Sequence, residues 1–454
     1  MNGFFRLIIM LSFVTNLASC SIYHPKPLND ADLTKVLMAP DKKVLAAQAA
    51  NMHHPRLSPI KLDFSKPLTA QELSVIAVIT NHDLQALRAK EGVANAQVFS
   101  AGLLPDPQLS YSYSHPFNLM PNVVIAYQAG INWDVASLLT RLLKVKISSA
   151  QRDQVHYDVA WQEWLIANQV ELLATRSYFL QQQINLVKES MHSVKQLLDV
   201  TRRNLSRHDA KIDEFGLQQS AYLDLQDQLQ ILARALEKTD QQLKQTLGLP
   251  PATHLLLGIK INPIPSHLDS EALFIEASIT RLDLYALKAG YLSQEAQVYQ
   301  GILGQFPHFS LGGNRARDNT GINAWGGDIN FDLPIFNRNR GVISIAKATR
   351  EQLYQEYIAR LHQTRADIAT LVADLNLIQQ QKSILKKVLP EMIKTEKLMR
   401  EGMLSGNVTL INYEVVRANL LNKKLKLLLL KQDGSEQTIA LQVALGKSLY
   451  SQEK

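Results

Sequence analysis

Cys20 is the only cysteine in the 454-residue chain, so no internal disulfide can form. His53 and His54 are the only adjacent histidines; in a mixed, proline-bearing stretch they read as solvated loop rather than as metal ligands. Met392, Met399 and Met403 approach helical spacing, and helix packing accounts for them ahead of a soft-metal relay. No H-E-x-x-H, G-x-S-x-G, G-x-G-x-x-G or phosphate-loop signature occurs. No catalytic residue, metal-ligand set or cofactor is therefore assigned, and an enzyme is the weakest function class. The formal net charge of +7 comes without a dense basic run interleaved with aromatics, which makes nucleic acid a poor partner.

The N-terminus carries chemistry of another kind. Arg6, the apolar run Leu7–Val14 and Leu17-Ala18-Ser19-Cys20 form an export signal too short to span a bilayer stably. Cys20 after Leu-Ala-Ser resembles the bacterial lipoprotein box, which makes it the lipid-bearing first residue of the mature chain. Ser21, rather than aspartate, follows it; in lipoproteins generally this implies sorting to the outer membrane. Several acyl chains, at about 0.8 kcal/mol per buried CH₂, hold firmly.

The elements behind these residues are written twice. Thr80, Asp83, Leu84, Ala86, Leu87 and Ala89 recur as Thr280, Asp283, Leu284, Ala286, Leu287 and Ala289. Ile131-Asn132-Trp133-Asp134 recurs as Ile329-Asn330-Phe331-Asp332. In each copy a helix leads into two alternating strands and then a very long helical run that turns back. The first helix is expected from Thr69, with Glu72 completing a capping box, to Gly102. Strand alternation is expected over 108–114 and 123–134 in the first copy, and over 308–311 and 324–333 in the second. Tyr, Trp, Ile and Leu take one face; Gln128, Asn132, Asp134, Asp328, Asn330 and Asp332 take the other. Each run is expected to be near the length a tilted strand needs to cross a bilayer.

No glycine or proline interrupts 131–215 or 342–389. About 70 helical residues reach about 105 Å at 1.5 Å each, the reach of a coiled coil or a tube wall. Gly402 and Gly406 bracket Met403-Leu404-Ser405 as a helix-turn-helix tip; the first-copy tip, 205–209, has no glycine. Arg203, Arg207 and Arg400 bring positive charge to the same end. The expected organisation is a signal peptide (1–19), a lipidated tether (20–67), a first repeat (68–249), a linker (250–267), a second repeat (268–447) and a short tail (448–454).

Four strands cannot close a barrel. In lipid, two open edges would strand about ten backbone groups at several kcal/mol each, tens of kcal/mol in all, beyond ordinary folding stability. If the strands enter a membrane, copies must join until the sheet closes; two copies give eight strands and three give twelve.

The duplicated order, Asp83-Leu84 with Asp283-Leu284, Pro334-Ile335-Phe336 after the last strand, and the Gly402-Met403-Leu404-Ser405 tip together resemble the TolC-like outer-membrane efflux family, in its lipoprotein branch. Leu104-Pro105-Asp106-Pro107 resembles the heavy-metal cation-efflux subgroup. The resemblance implies a mainly α fold with a small transmembrane β part: a homotrimer with an outer-membrane β-barrel continued by a periplasmic α-helical barrel. It also implies a passive exit duct for drugs or metal cations, docked to a periplasmic adaptor and an inner-membrane pump, and lodged in outer-membrane lipid. Adaptor docking would fall on Arg203, Arg207, Arg400 and Gly402 to Gly406. The family often narrows its entrance with aspartates near the second tip, but 394–407 contains none; Asp209 and Asp213 are the entrance-gate candidates instead. The rival reading is a coiled-coil structural or adhesive outer-membrane lipoprotein, which leaves the duplicated hairpin unexplained.

Overall fold

The computed structural model of the chain describes residues 23–52, 54–117 and 123–450. Cys20, the signal segment and His53 lie outside the described residues. The chain divides into two units, 1–39 and 40–454. Among its described residues the first holds one short helix, α1 (Asp30–Val36).

The second unit begins with α2 (Lys42–Ala50), whose first amides, at Lys43 and Val44, donate to the Asp41 side chain. The expected capping box forms: the Thr69 amide donates to Glu72 Oε2 at 2.8 Å, and the Glu72 amide to Thr69 Oγ1 at 3.3 Å. The helix that follows is not continuous to Gly102. It breaks into α3 (Ala70–Thr80) and α4 (His82–Gly102) at Asn81, which is extended at φ −63°, ψ 122°. Asn81 ends one helix and caps the next, its side chain accepting from the Leu84 amide at 3.0 Å. The hydrophobic pattern runs through both helices, so periodicity gave no sign of the break.

Strands β1 (Gln108–Ser114) and β2 (Ala126–Asp134) lead to α5 (Ala136–Ser206) and α6 (Ile212–Thr246). The second copy repeats this as α7 (Ser270–Thr280), α8 (Leu282–Leu303), β3 (His308–Arg317), β4 (Asn323–Asp332), α9 (Arg340–Leu404) and α10 (Leu410–Leu445). β2 begins at Ala126 rather than Val123, and Ile125 precedes it. β3 runs six residues past the expected Leu311, to Arg317; Gly312 and Gly313 there mask the alternation. α9 continues through Pro390, which lacks a backbone donor and crowds the carbonyl four residues back.

The 71 residues of α5 bury Val170, Ala174, Ser177, Leu180, Ile184 and Val187 at three-and-four spacing. Around its middle, α2, α3 and α6 close one apolar cluster: Leu45, Leu73, Ile76, Val170, Leu173, Leu243 and Leu247. Its second-copy counterpart joins Ala277, Ile368, Leu375, Leu441 and Leu445. Each fully buried leucine contributes about 1.5–3 kcal/mol relative to exposure. The long helices pack in the order α6–α5–α10–α9. The stretch before α3 also joins the linker between copies: the Leu68 amide donates to the Leu256 carbonyl at 2.7 Å and the Gly258 amide to the Leu68 carbonyl at 2.8 Å.

Candidate functional site

The four strands form one antiparallel sheet in the order β1-β2-β3-β4. Its register decides which residues share a face. Gln108 pairs with Asn132, Ser112 with Gln128, Asp134 with Ser310, Ser310 with Asn330, Gly312 with Asp328 and His308 with Asp332. Directly paired side chains point to the same side. All six expected polar positions (Gln128, Asn132, Asp134, Asp328, Asn330 and Asp332) therefore lie on one face. The other face carries Leu109, Tyr111, Tyr113, Tyr127, Ile131, Trp133, Leu311, Trp325, Ile329 and Phe331, again through unbroken pairing. Several of these are well exposed, Trp325 at 81% and Tyr113 at 72%.

Two arginines interrupt the apolar face near one end. Arg315 pairs with Trp325 and lies 5.6 Å over its ring; Arg317 pairs with Asn323. A cation stacked on an aromatic at the rim of an apolar band suits a headgroup region. On the polar face Asp328 accepts from Asn314 Nδ2 at 2.6 Å. Asp134 accepts from the Ser137 amide at 3.0 Å, stabilising the entry to α5. The turn between β3 and β4 is built on Asp318, which accepts from the Thr320 and Ile322 amides, both at 2.9 Å. With the Thr320 hydroxyl, these bonds hold its carboxyl below the usual range.

The duplicated Thr80 and Thr280 turn out to be joints. Thr80 Oγ1 lies 2.6 Å from the Leu247 carbonyl, and Asn81 Nδ2 donates to the Thr246 carbonyl at 2.9 Å. Thr280 Oγ1 lies 2.6 Å from the Leu445 carbonyl, and Arg281 Nη1 donates to the Ala444 carbonyl at 2.9 Å. In each copy the break between the two short helices thus receives the end of the returning helix. Glycines with positive φ, Gly248 (+63°) and Gly446 (+67°), make those ends. The two copies differ in charge. Asp83 is exposed, whereas Asp283 is buried and takes a bidentate bond from Arg281 at 3.0 and 2.7 Å. Arg281 also lies 4.7 Å over the Trp161 ring.

Sequence reasoning missed a second latch. His54 is not solvated: its side chain is 2% exposed and its Nε2 lies 3.2 Å from Glu163 Oε2. His54 Nδ1 accepts from the Arg56 and Leu57 amides, both at 3.0 Å, which leaves the proton on Nε2, facing the carboxylate. Arg88 Nε donates to Glu163 Oε1 at 2.6 Å. Arg56 reaches the Thr280 carbonyl, so this short segment ties the first copy to the second. The adjacent histidines were the only sequence signal of it.

At the far end both hairpins turn with one geometry. His208 (φ 64°) follows the cap of α5, and the Asp209 amide donates to the Asn204 carbonyl at 2.8 Å. Gly406 (φ 77°) follows the cap of α9, and the Asn407 amide donates to the Gly402 carbonyl at 2.9 Å. A Cβ on Gly402 would lie 2.6 Å from Val408 Cγ2, so a close approach demands glycine there. Leu404 is 73% exposed, Met403 is half-buried, and Arg203, Arg207, Arg400, Asp209, Asp213 and Ser405 are exposed. Arg400 borders a groove of about 280 Å³ against Ser190, Gln196 and Val200 of α5, which brings the second tip beside the first hairpin. Below it, Glu414 takes two bonds from Arg417 at 2.8 and 2.6 Å and one from Gln218 at 3.0 Å. Tyr413 donates to Glu396 at 3.0 Å; burial and that bond push its phenol up to about 12. None of this cluster was singled out from the sequence.

Residues 274–447 match the family model described as outer membrane efflux protein. The matched span lies in the second copy. No curated protein matches it. Among solved structures, CusC is 17% identical, with a TM-score of 0.69, covering 88% of this chain and 99% of its own. The outer-membrane protein VceC of Vibrio cholerae is 13% identical, with a TM-score of 0.70 and coverages of 84% and 97%. The CmeC outer-membrane channel of Campylobacter jejuni is 16% identical, with a TM-score of 0.71 and 96% of each chain covered. The fold is that of the TolC-like channels, mostly helical with a small sheet. The match and the fold together support an outer-membrane efflux channel component. They lend nothing to a structural or adhesive lipoprotein.

Proposed function

We propose that the chain is the passive exit duct of a tripartite efflux system. Three copies close their sheets into a twelve-stranded outer-membrane barrel, and their long hairpins continue it as a periplasmic helical tube. The observation that carries this reading is the register. Four strands hold all six expected polar positions on one face and the large apolar residues on the other, with Arg315 and Arg317 at the rim of the apolar face, while β1 and β4 leave two open edges. Such a sheet fits a wall between lipid and water, and open edges in lipid require further copies. Lipid on Cys20 adds an anchor beside the barrel, and the helical tips dock a periplasmic adaptor that couples the duct to an inner-membrane pump. The pump supplies the energy and selects among drugs or metal cations.

Single cysteines along β2, in a Cys20→Ser background, test this with a membrane-impermeant thiol reagent on intact outer membranes. Positions 128, 130 and 132 should label and positions 129 and 131 should not. Equal labelling on both faces would rule out a transmembrane wall.

A further inference from the structure

Two rows at one end of the apolar face hold the only cations that the strands place on it. Tyr113, Tyr127, Arg317 and Asn323 lie across the sheet in the outermost row, and Tyr111, Ala129, Arg315 and Trp325 in the next. Neighbouring rows on one face stand about 7 Å apart. Arg315 lies 5.6 Å over the Trp325 ring. Arg317 folds toward the β3–β4 turn: a Cβ on Gly321 would lie 3.5 Å from its Nη2. Its Nε is buried and has no hydrogen-bond partner. Among the described residues no carboxylate pairs with either guanidinium. Asp318, next along the chain, is taken up by the Thr320 amide and hydroxyl and by the Ile322 amide, and 118–122 contains no acid.

The row beneath is bare. Gly313 pairs with Gly327, and a Cβ on either would meet nothing nearer than 4.0 Å. Arg315 and Trp325 stand on one side of this pair, Leu311 and Ile329 on the other, and exposed Ile131 lies beside Gly313. The face therefore carries a shallow hollow with apolar walls directly beside two unpaired cations.

An unpaired cation at the edge of a hydrocarbon layer is costly, and an anion offsets that cost. The planar fork of arginine matches phosphate with two parallel hydrogen bonds. We propose that this corner binds a phosphate-bearing lipid: Arg315 and Arg317 hold the headgroup phosphate, and an acyl chain fills the hollow over Gly313 and Gly327. The β3–β4 turn lies at the opposite end of the strands from α5 and α9, so the lipid belongs to the outer leaflet. The inference rests on the transmembrane wall proposed above and names a ligand for its lipid face.

Native mass spectrometry of the full-length protein in detergent tests it. The probe is lipid A carrying two phosphates, and the comparison is the same lipid stripped of phosphate. The parent should favour the phosphorylated form by about tenfold or more. Arg315→Gln with Arg317→Gln should remove that preference, and Arg340→Gln, at the other end of the sheet, should keep it. Gly313→Leu fills the hollow, leaves both cations and should weaken both lipids; parent-like binding there overturns the acyl seat. Equal binding of the two lipids to the parent, or a preference that survives the double arginine change, overturns the site. Should the double change not insert, Arg315→Gln alone decides, and an undiminished preference then overturns the site. Inorganic pyrophosphate alone should leave no adduct; an adduct that the arginine change abolishes assigns the corner to free anions and overturns the lipid. A parent whose β2 cysteines label on one face only, yet which shows no phosphate preference, overturns the site and spares the wall. Equal labelling of both faces overturns both.

Discussion

Glu163 is pulled two ways. Burial pushes its carboxyl up, but the hydrogen bond from His54 and the charge of Arg88 outweigh that and hold it below the ordinary value. A lowered folded pKa contributes stability that is complete above the unfolded value and is lost as pH falls through the folded one. Glu163→Gln should therefore melt below the parent near neutral pH, and the gap should close as the pH falls through the lowered folded value. A gap unchanged over that range would show that the carboxylate's charge contributes nothing. At this scale the sequence was legible where a role is local. Thr69 and Glu72 announced their capping box three residues apart. His54 did not, because its partner Glu163 lies on another element and only folding brings them together. Thr80 and Thr280 were visible as repeated letters, but their task depends on carbonyls at Leu247 and Leu445 that no local pattern marks.

Helices and strands were legible in proportion to how cleanly their period survived. β1, β2 and β4 alternate almost without exception. β3 hides its second half behind Gly312 and Gly313, then places Arg315 and Arg317 on the apolar face, where alternation predicts the opposite. The joint between helix return and helix break yields a sharper prediction. Gly248 holds φ +63°, and a Cβ there would lie 2.5 Å from the Thr80 carbonyl oxygen. Left-handed backbone costs a residue with a Cβ about 1–2 kcal/mol before any collision is counted. Gly248→Ala should lose at least about 2 kcal/mol in chemical denaturation. Gly446→Ala should lose less, since its Cβ would come only to 3.0 Å of Arg281 Cα. Parent-like stability of Gly248→Ala would mean that α6 does not need this close approach.

At the scale of the whole molecule the two hairpins end in tips of one geometry but different residues. On the docking proposed above, an adaptor hairpin would meet exposed Leu404 beside half-buried Met403, with Arg203, Arg207 and Arg400 steering an acidic partner. Leu404→Asp should abolish efflux in cells while abundance and melting temperature stay at parental values. Normal efflux at normal abundance would remove the tip from the docking surface. The repeat made the doubled architecture legible; assembly was not, because a single chain's sequence marks open edges without naming what covers them.

The central claim is that copies of this four-stranded sheet enclose a wet pore, and single-channel recording of the purified protein in a planar bilayer tests it most directly. The parent should give discrete conductance steps, and Gln128→Arg should keep the steps while moving ion selectivity toward anions. Protein that inserts with its strands and helices folded yet passes no current would contradict the account.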